Sequence, residues 1–111
     1  MSDPRKSLRL KAQPGGKKKL LPTRLGAIVE FTSGFELGRK VPLFFERTVL
    51  GRKKGDILVR DVTVSAAHVA VEYRDGSFRV VDLESSNGTF LGGKKIRAGV
   101  AGLGQEIRIG K

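Results

Sequence analysis

The sequence predicts an all-β fold, an antiparallel sandwich of about ten to eleven short strands. Three observations lead there. From residue 27 onward apolar and polar residues alternate with the strand period, and no stretch longer than two turns carries the helical period. Twelve of the fifteen glycines punctuate these runs. The Asp75-Gly76 dipeptide sits between two alternating runs, the strongest short-range hairpin signal a sequence offers.

Taken in order, Ala27, Val29 and Phe31 alternate with Ile28 and Glu30 as a first strand, which Thr32-Ser33-Gly34 ends. Phe35 and Leu37 about Glu36 read as a second short run before Gly38. Phe45, Arg47 and Val49 alternate with Glu46, Thr48 and Leu50. Val69, Val71 and Tyr73 share one face and Ala70, Glu72 and Arg74 the other. Asp75-Gly76 predicts a type I′ turn, and Phe78 and Val80 carry the returning strand. Gly92-Gly93 and Gly102-Leu103-Gly104 are further turns, and Glu106–Ile109 is a last short strand.

Charge divides the chain unevenly. The 111 residues carry a formal net charge of +11. Residues 1–24 hold eight basic side chains against Asp3 alone, together with Pro4, Pro14, Pro22 and Gly15-Gly16. Such a segment buries little and repels itself, so it reads as a mostly disordered basic arm. It has no aromatic residue on which bases could stack, so nucleic acid is not the expected partner. The chain has no cysteine and a single histidine, which excludes disulfides, Cys-based zinc sites and cysteine nucleophiles and argues against any metal or other cofactor. No apolar run is long enough to span a membrane, and no apolar segment follows the basic N-terminus as in a secretory signal. A small cytoplasmic domain is expected.

The loops carry the chemistry. Gly51-Arg52-Lys53-Lys54-Gly55-Asp56, Thr63-Val64-Ser65-Ala66-Ala67-His68 and Leu83-Glu84-Ser85-Ser86-Asn87-Gly88-Thr89 each follow a strand. They place hydroxyls, an amide and a guanidinium where three loops can converge on one anionic group. Arginine suits that task because its planar fork matches phosphate oxygens with two parallel hydrogen bonds.

This set, in this order, resembles the forkhead-associated (FHA) domain, a phosphothreonine-peptide-binding module. Gly51-Arg52, Ser65-Ala66-Ala67-His68 and Ser85-Ser86-Asn87-Gly88-Thr89 match its three motif segments, and Leu103–Gly110 is similar to its closing run. The resemblance assigns residues 25–111 to the FHA domain and implies a sandwich that binds through loops at one end. It implies that Arg52 and Ser65 touch the phosphate, Ser86 supplies a nearby hydroxyl and Asn87 bonds the ligand backbone. Gly51, His68, Gly88 and Thr89 would shape the loops, and Lys53 and Lys54 would act at longer range. It also implies a last strand between the first strand and the one ending near Ile109. The chain stops at Lys111, so that edge is expected to be open unless further chain, a strand-swapped second copy or the arm segment Ser7–Ala12 fills it. A monomer and a swapped dimer both remain open.

Departures from the family pattern are few. Ala66 stands where relatives often place Arg, Lys or Asn, and Thr63 where some carry a basic residue. The expected function is a phosphothreonine-dependent signalling adaptor downstream of a Ser/Thr kinase. The alternative is a phospho-independent scaffold, or a polyanion binder using the arm. An enzyme is not expected: Ser65, His68 and Asp82 are the only conceivable hydrolytic set, and Ser65 lies in no nucleophile elbow. Thr23, the arm's one threonine, is a candidate for phosphorylation and fold-back onto the site.

Overall fold

The computed structural model describes residues 19–22, 27–102 and 104–110. Ser7–Ala12 and Thr23 lie outside them. Ten strands form among these residues: β1 (Ala27–Glu30), β2 (Lys40–Leu43), β3 (Arg47–Gly51), β4 (Ile57–Leu58), β5 (Val69–Arg74), β6 (Ser77–Asp82), β7 (Thr89–Leu91), β8 (Lys94–Ile96), β9 (Ala98–Ala101) and β10 (Ile107–Ile109). One layer is the five-stranded sheet β4-β3-β5-β6-β9. The other is built from the pair β1-β2 and the three-stranded β10-β7-β8. The result is an all-β sandwich. Its ladders are antiparallel apart from the two-residue parallel pairing of β3 with β4.

The alternation read from the sequence sets the core. Leu50, Val69, Val71 and Val80 pack from the five-stranded sheet, with Ile57, Val59 and Val64 beside them. Val29, Leu43, Ile96 and Ile109 close over them from the opposite layer. Cross-strand pairing strengthens the β5–β6 hairpin: Tyr73 lies opposite Phe78, with ring centroids 5.1 Å apart. Its turn has Asp75 at φ 52° and Gly76 at φ 81°, the two positive values that a type I′ turn requires.

Two readings change. Phe35–Gly38 is a turn, not a strand: Phe35 and Leu37 are 83% and 68% exposed, and Gly38 N–H donates to Phe31 O at 2.8 Å. The chain pairs one step later, through Lys40–Leu43 against β1. Phe45 and Glu46 precede β3 at a corner between the layers, where the end of the basic segment docks. There Leu21 N–H donates to Phe44 O at 2.9 Å and Glu46 N–H to Lys19 O at 2.7 Å, and Leu21 is buried.

A groove of about 650 Å³ opens between β1 and β10. β1 lines one side, Glu106–Ile109 the other, and Leu50, Val71 and Val80 form its floor. These are the two strands that the resemblance places on either side of its last strand.

Candidate functional site

The three motif loops meet at one end of the sandwich through their backbones. Arg52 N–H donates to Ser65 O at 2.9 Å, and the N–H groups of Lys53 and Lys54 both donate to Ala66 O, at 3.1 and 2.7 Å. Gly51 is where these loops cross. A Cβ there would stand 2.1 Å from Ala66 O and 2.5 Å from Lys54 O, so only glycine fits.

His68 joins the second loop to the third. It is completely buried. Its Nδ1 accepts the Ser65 N–H at 3.0 Å, which places the ring proton on Nε2, and Nε2–H then donates to Gly88 O at 2.8 Å. Both ring nitrogens are spent on backbone groups from different loops. A side chain with an acceptor and a donor at opposite ends of a flat ring suits such a dry joint. The Ser65 hydroxyl completes the link by accepting the Ser86 N–H at 2.9 Å.

The third loop is braced by Asp82. Its carboxylate accepts from Ser85 Oγ, from Thr89 Oγ1 at 2.7 Å and from Ser85 N–H at 3.1 Å. Ser85 Oγ in turn accepts the Gly88 N–H at 3.0 Å. Burial works to raise the Asp82 carboxyl, but the hydrogen bonds from Ser85 and Thr89 outweigh it and hold the group below its ordinary value. Thr89 is itself fully buried. Asp61 does the same for the second loop, accepting Thr63 N–H at 2.9 Å and Thr63 Oγ1 at 2.6 Å. These bonds hold its carboxyl low as well.

On this frame stand the residues singled out for binding. Arg52 is exposed, with Nε donating to Val64 O at 3.0 Å, which aims the guanidinium while leaving its terminal nitrogens clear of that bond. The Ser65 proton is not needed by Ser86 and can be donated outward. The Asn87 amide donates to Thr63 O at 2.7 Å, which fixes its plane and leaves Oδ1 and a second N–H. Ser86, Lys53 and Lys54 are exposed at the rim. Arg52, Ser65, Ser86 and Asn87 thus occupy loops tied directly to one another, with Gly51, His68, Gly88 and Thr89 beneath them.

Ser65, His68 and Asp82, the one hydrolytic set the sequence offered, do not form a triad. His68 Nε2 is committed to Gly88 O, and Asp82 bonds Ser85 and Thr89. Neither makes the serine–histidine and histidine–carboxylate contacts of a triad. No helix among the described residues is long and apolar enough to cross a membrane. The Asp82 brace and the Thr63 carbonyl that positions Asn87 were not foreseen. The Asp82-to-Thr89 spacing could have suggested the first, but a backbone carbonyl leaves no mark in a sequence.

Comparison with known proteins places this geometry. The family model for the FHA domain matches residues 48–110. An oxoglutarate dehydrogenase inhibitor from Corynebacterium diphtheriae is 43% identical over 65 residues, 58% of this chain and 46% of that protein. The glycogen accumulation regulator GarA of Mycolicibacterium smegmatis is 35% identical over 86 residues, 77% of this chain and 54% of that protein. The chain therefore spans about half the length of these relatives. Among solved structures, Mycobacterium tuberculosis EmbR in complex with a low affinity phosphopeptide superposes with a TM-score of 0.66 at 27% identity, covering 87% of this chain and 24% of that one.

Proposed function

The chain belongs to the FHA domain family, and on that premise we propose that it is a phosphothreonine-dependent protein–protein interaction module. It acts as a signalling adaptor that docks a partner phosphorylated by a Ser/Thr kinase. The observation that carries this reading is the His68 joint. It joins the Ser65 and Gly88 loops, and bonds from Arg52 N–H to Ser65 O, from Ser86 N–H to Ser65 Oγ and from the Asn87 amide to Thr63 O tie the loops of the four candidate residues together. A phosphate adds about −1.5 to −2 charge and three acceptor oxygens. Arg52 supplies the fork, Ser65 and Ser86 supply hydroxyls, and Asn87 holds the ligand backbone. Lys53 and Lys54 add field.

The module has no enzymatic activity of its own and works in the cytoplasm without a cofactor. The regulatory names of two of its relatives, an inhibitor of oxoglutarate dehydrogenase and a regulator of glycogen accumulation, support a role in control. The domain occupies residues 25–111 and the basic arm residues 1–24. Thr23 and most of the arm's charge lie outside the described residues.

The test is titration with matched peptides carrying phosphothreonine, phosphoserine or threonine. Phosphothreonine binds most tightly, phosphoserine about fourfold more weakly for one lost methyl contact, and threonine negligibly. Equal binding of the threonine peptide overturns the reading in favour of a phospho-independent scaffold.

A further inference from the structure

Arg39, Arg47 and Arg60 each face a carboxylate, Glu36 or Glu72. The cations on the outer face of β8-β7-β10 do not. Lys95 stands opposite Phe90, and Phe90 opposite Arg108, so the three form a row across three strands. Thr89 and Leu91 are buried on either side of Phe90, and Lys95 and Arg108 are exposed, so the row faces outward. The Arg108 guanidinium lies over the Phe90 ring, 4.3 Å from its centroid, and holds the ring as a fixed surface. Among the described residues no carboxylate pairs with Lys95 or Arg108.

The row begins at the binding loops. The Lys95 stem lies across Gly88, where a Cβ would stand 2.8 Å from Lys95 Cε. Gly88 is the neighbour of Asn87 and the residue whose carbonyl accepts the hydrogen bond from His68 Nε2–H. The missing side chain at Gly88 therefore serves two ends: it permits the turn at φ 87°, and it gives the lysine stem a bed. The lysine stem therefore lies against the residue that follows Asn87.

We propose that the Lys95–Phe90–Arg108 row extends the binding surface and selects an acidic side chain close to the phosphothreonine, with Lys95 as the residue that reads it. This rests on the phosphothreonine reading above. Lys95 determines specificity rather than basal affinity, because the phosphate contacts belong to other loops. The partner it fits is a phosphorylated segment with an Asp or Glu beside the threonine and an apolar or planar group that can lie on Phe90.

The experiment uses phosphothreonine peptides on an alanine background, with one aspartate moved position by position along both flanks. Each is titrated by fluorescence anisotropy against the full chain and against Lys95→Gln, with the unphosphorylated peptides alongside. In the parent, aspartate at one position or two neighbouring ones tightens binding about threefold to fivefold, as expected for an exposed ion pair. Raising the salt shrinks that gain. Lys95→Gln abolishes the gain, while its all-alanine phosphopeptide still binds more tightly than the unphosphorylated one. Lys95→Glu turns the preference toward lysine at the same position. A parent indifferent to aspartate everywhere, or a gain that survives in Lys95→Gln, refutes the row while phosphate-dependent binding stands. If phosphate itself makes no difference to any peptide, the site reading falls, and this proposal falls with it.

Discussion

His68→Ala strikes the joint on which the site depends. The wild-type ring is fully buried and bonds two backbone groups from separate loops, Ser65 N–H at 3.0 Å and Gly88 O at 2.8 Å. Truncation strands a donor and an acceptor in a dry setting, at about 1–3 kcal/mol each. The emptied ring volume adds roughly 1 kcal/mol of lost packing. A total of about 3–5 kcal/mol follows after partial relaxation, a large share of the 5–15 kcal/mol that holds a typical domain. At about 4–8 °C per kcal/mol for a domain of this size, the melting temperature falls by roughly 12–40 °C. Thermal and urea unfolding followed by circular dichroism read the loss. Phosphopeptide titration at a temperature where the variant is folded reads its effect on the site. There affinity drops about tenfold, because binding must now order loops that His68 held in advance. His68→Gln, whose amide offers both an acceptor and a donor, recovers part of both losses. A His68→Ala protein that loses less than about 1 kcal/mol and binds like the parent would falsify this account of the joint.

Three further outcomes are expected. Arg52→Ala lowers phosphopeptide affinity by about 2 kcal/mol, roughly thirtyfold, but stability by only about 1 kcal/mol, since its side chain's bond to the fold runs from Nε to Val64 O; calorimetry that finds the affinity intact removes Arg52 from the site. Asp82 has a folded value held below its unfolded one, so its contribution to stability is complete above about pH 4 and drains away as pH falls through the folded value. Asp82→Asn should flatten that part of the stability–pH curve, and an unchanged acid limb in urea titrations would show that the Ser85 and Thr89 bonds do not matter. Leu21→Ala costs about 2 kcal/mol because Leu21 is 8% exposed against the Phe44–Glu46 corner; a melting temperature equal to the parent's would mean that this end of the basic segment contributes nothing to the fold.

Local signals proved legible and crossings did not. Asp75-Gly76 announces its turn because the positive φ it needs is a property of those two residues, and the β5–β6 pairing follows from the shared alternation of Val69–Tyr73 and Phe78–Val80. Phe35 and Leu37 misled because two apolar residues spaced by one satisfy the strand period in too short a window. The strand beside them, β2, was missed because Pro42 lacks the donor that a central strand requires and reads as a break. The parallel pairing of β3 with β4 has no sequence mark at all, being two residues brought alongside by the Gly51–Asp56 loop.

The candidate site divides in the same way. The order and identity of Arg52, Ser65, His68, Ser86 and Asn87 were legible along the chain, since each is a side chain chosen for its donors. The bonds that bring their loops together were not, because those bonds end on backbone atoms: Ser65 O, Ala66 O, Thr63 O and Gly88 O. Every residue carries a carbonyl, so no sequence can say which one accepts. The position of Lys95 over Gly88 belongs with these, for it follows from the β7–β8 register and not from any spacing between the two residues. The sequence is sufficient for the alternation, the turns and the donor set. The sandwich alone decides which backbone groups face one another, because close approach between distant segments is a property of the packed layers and not of any one segment.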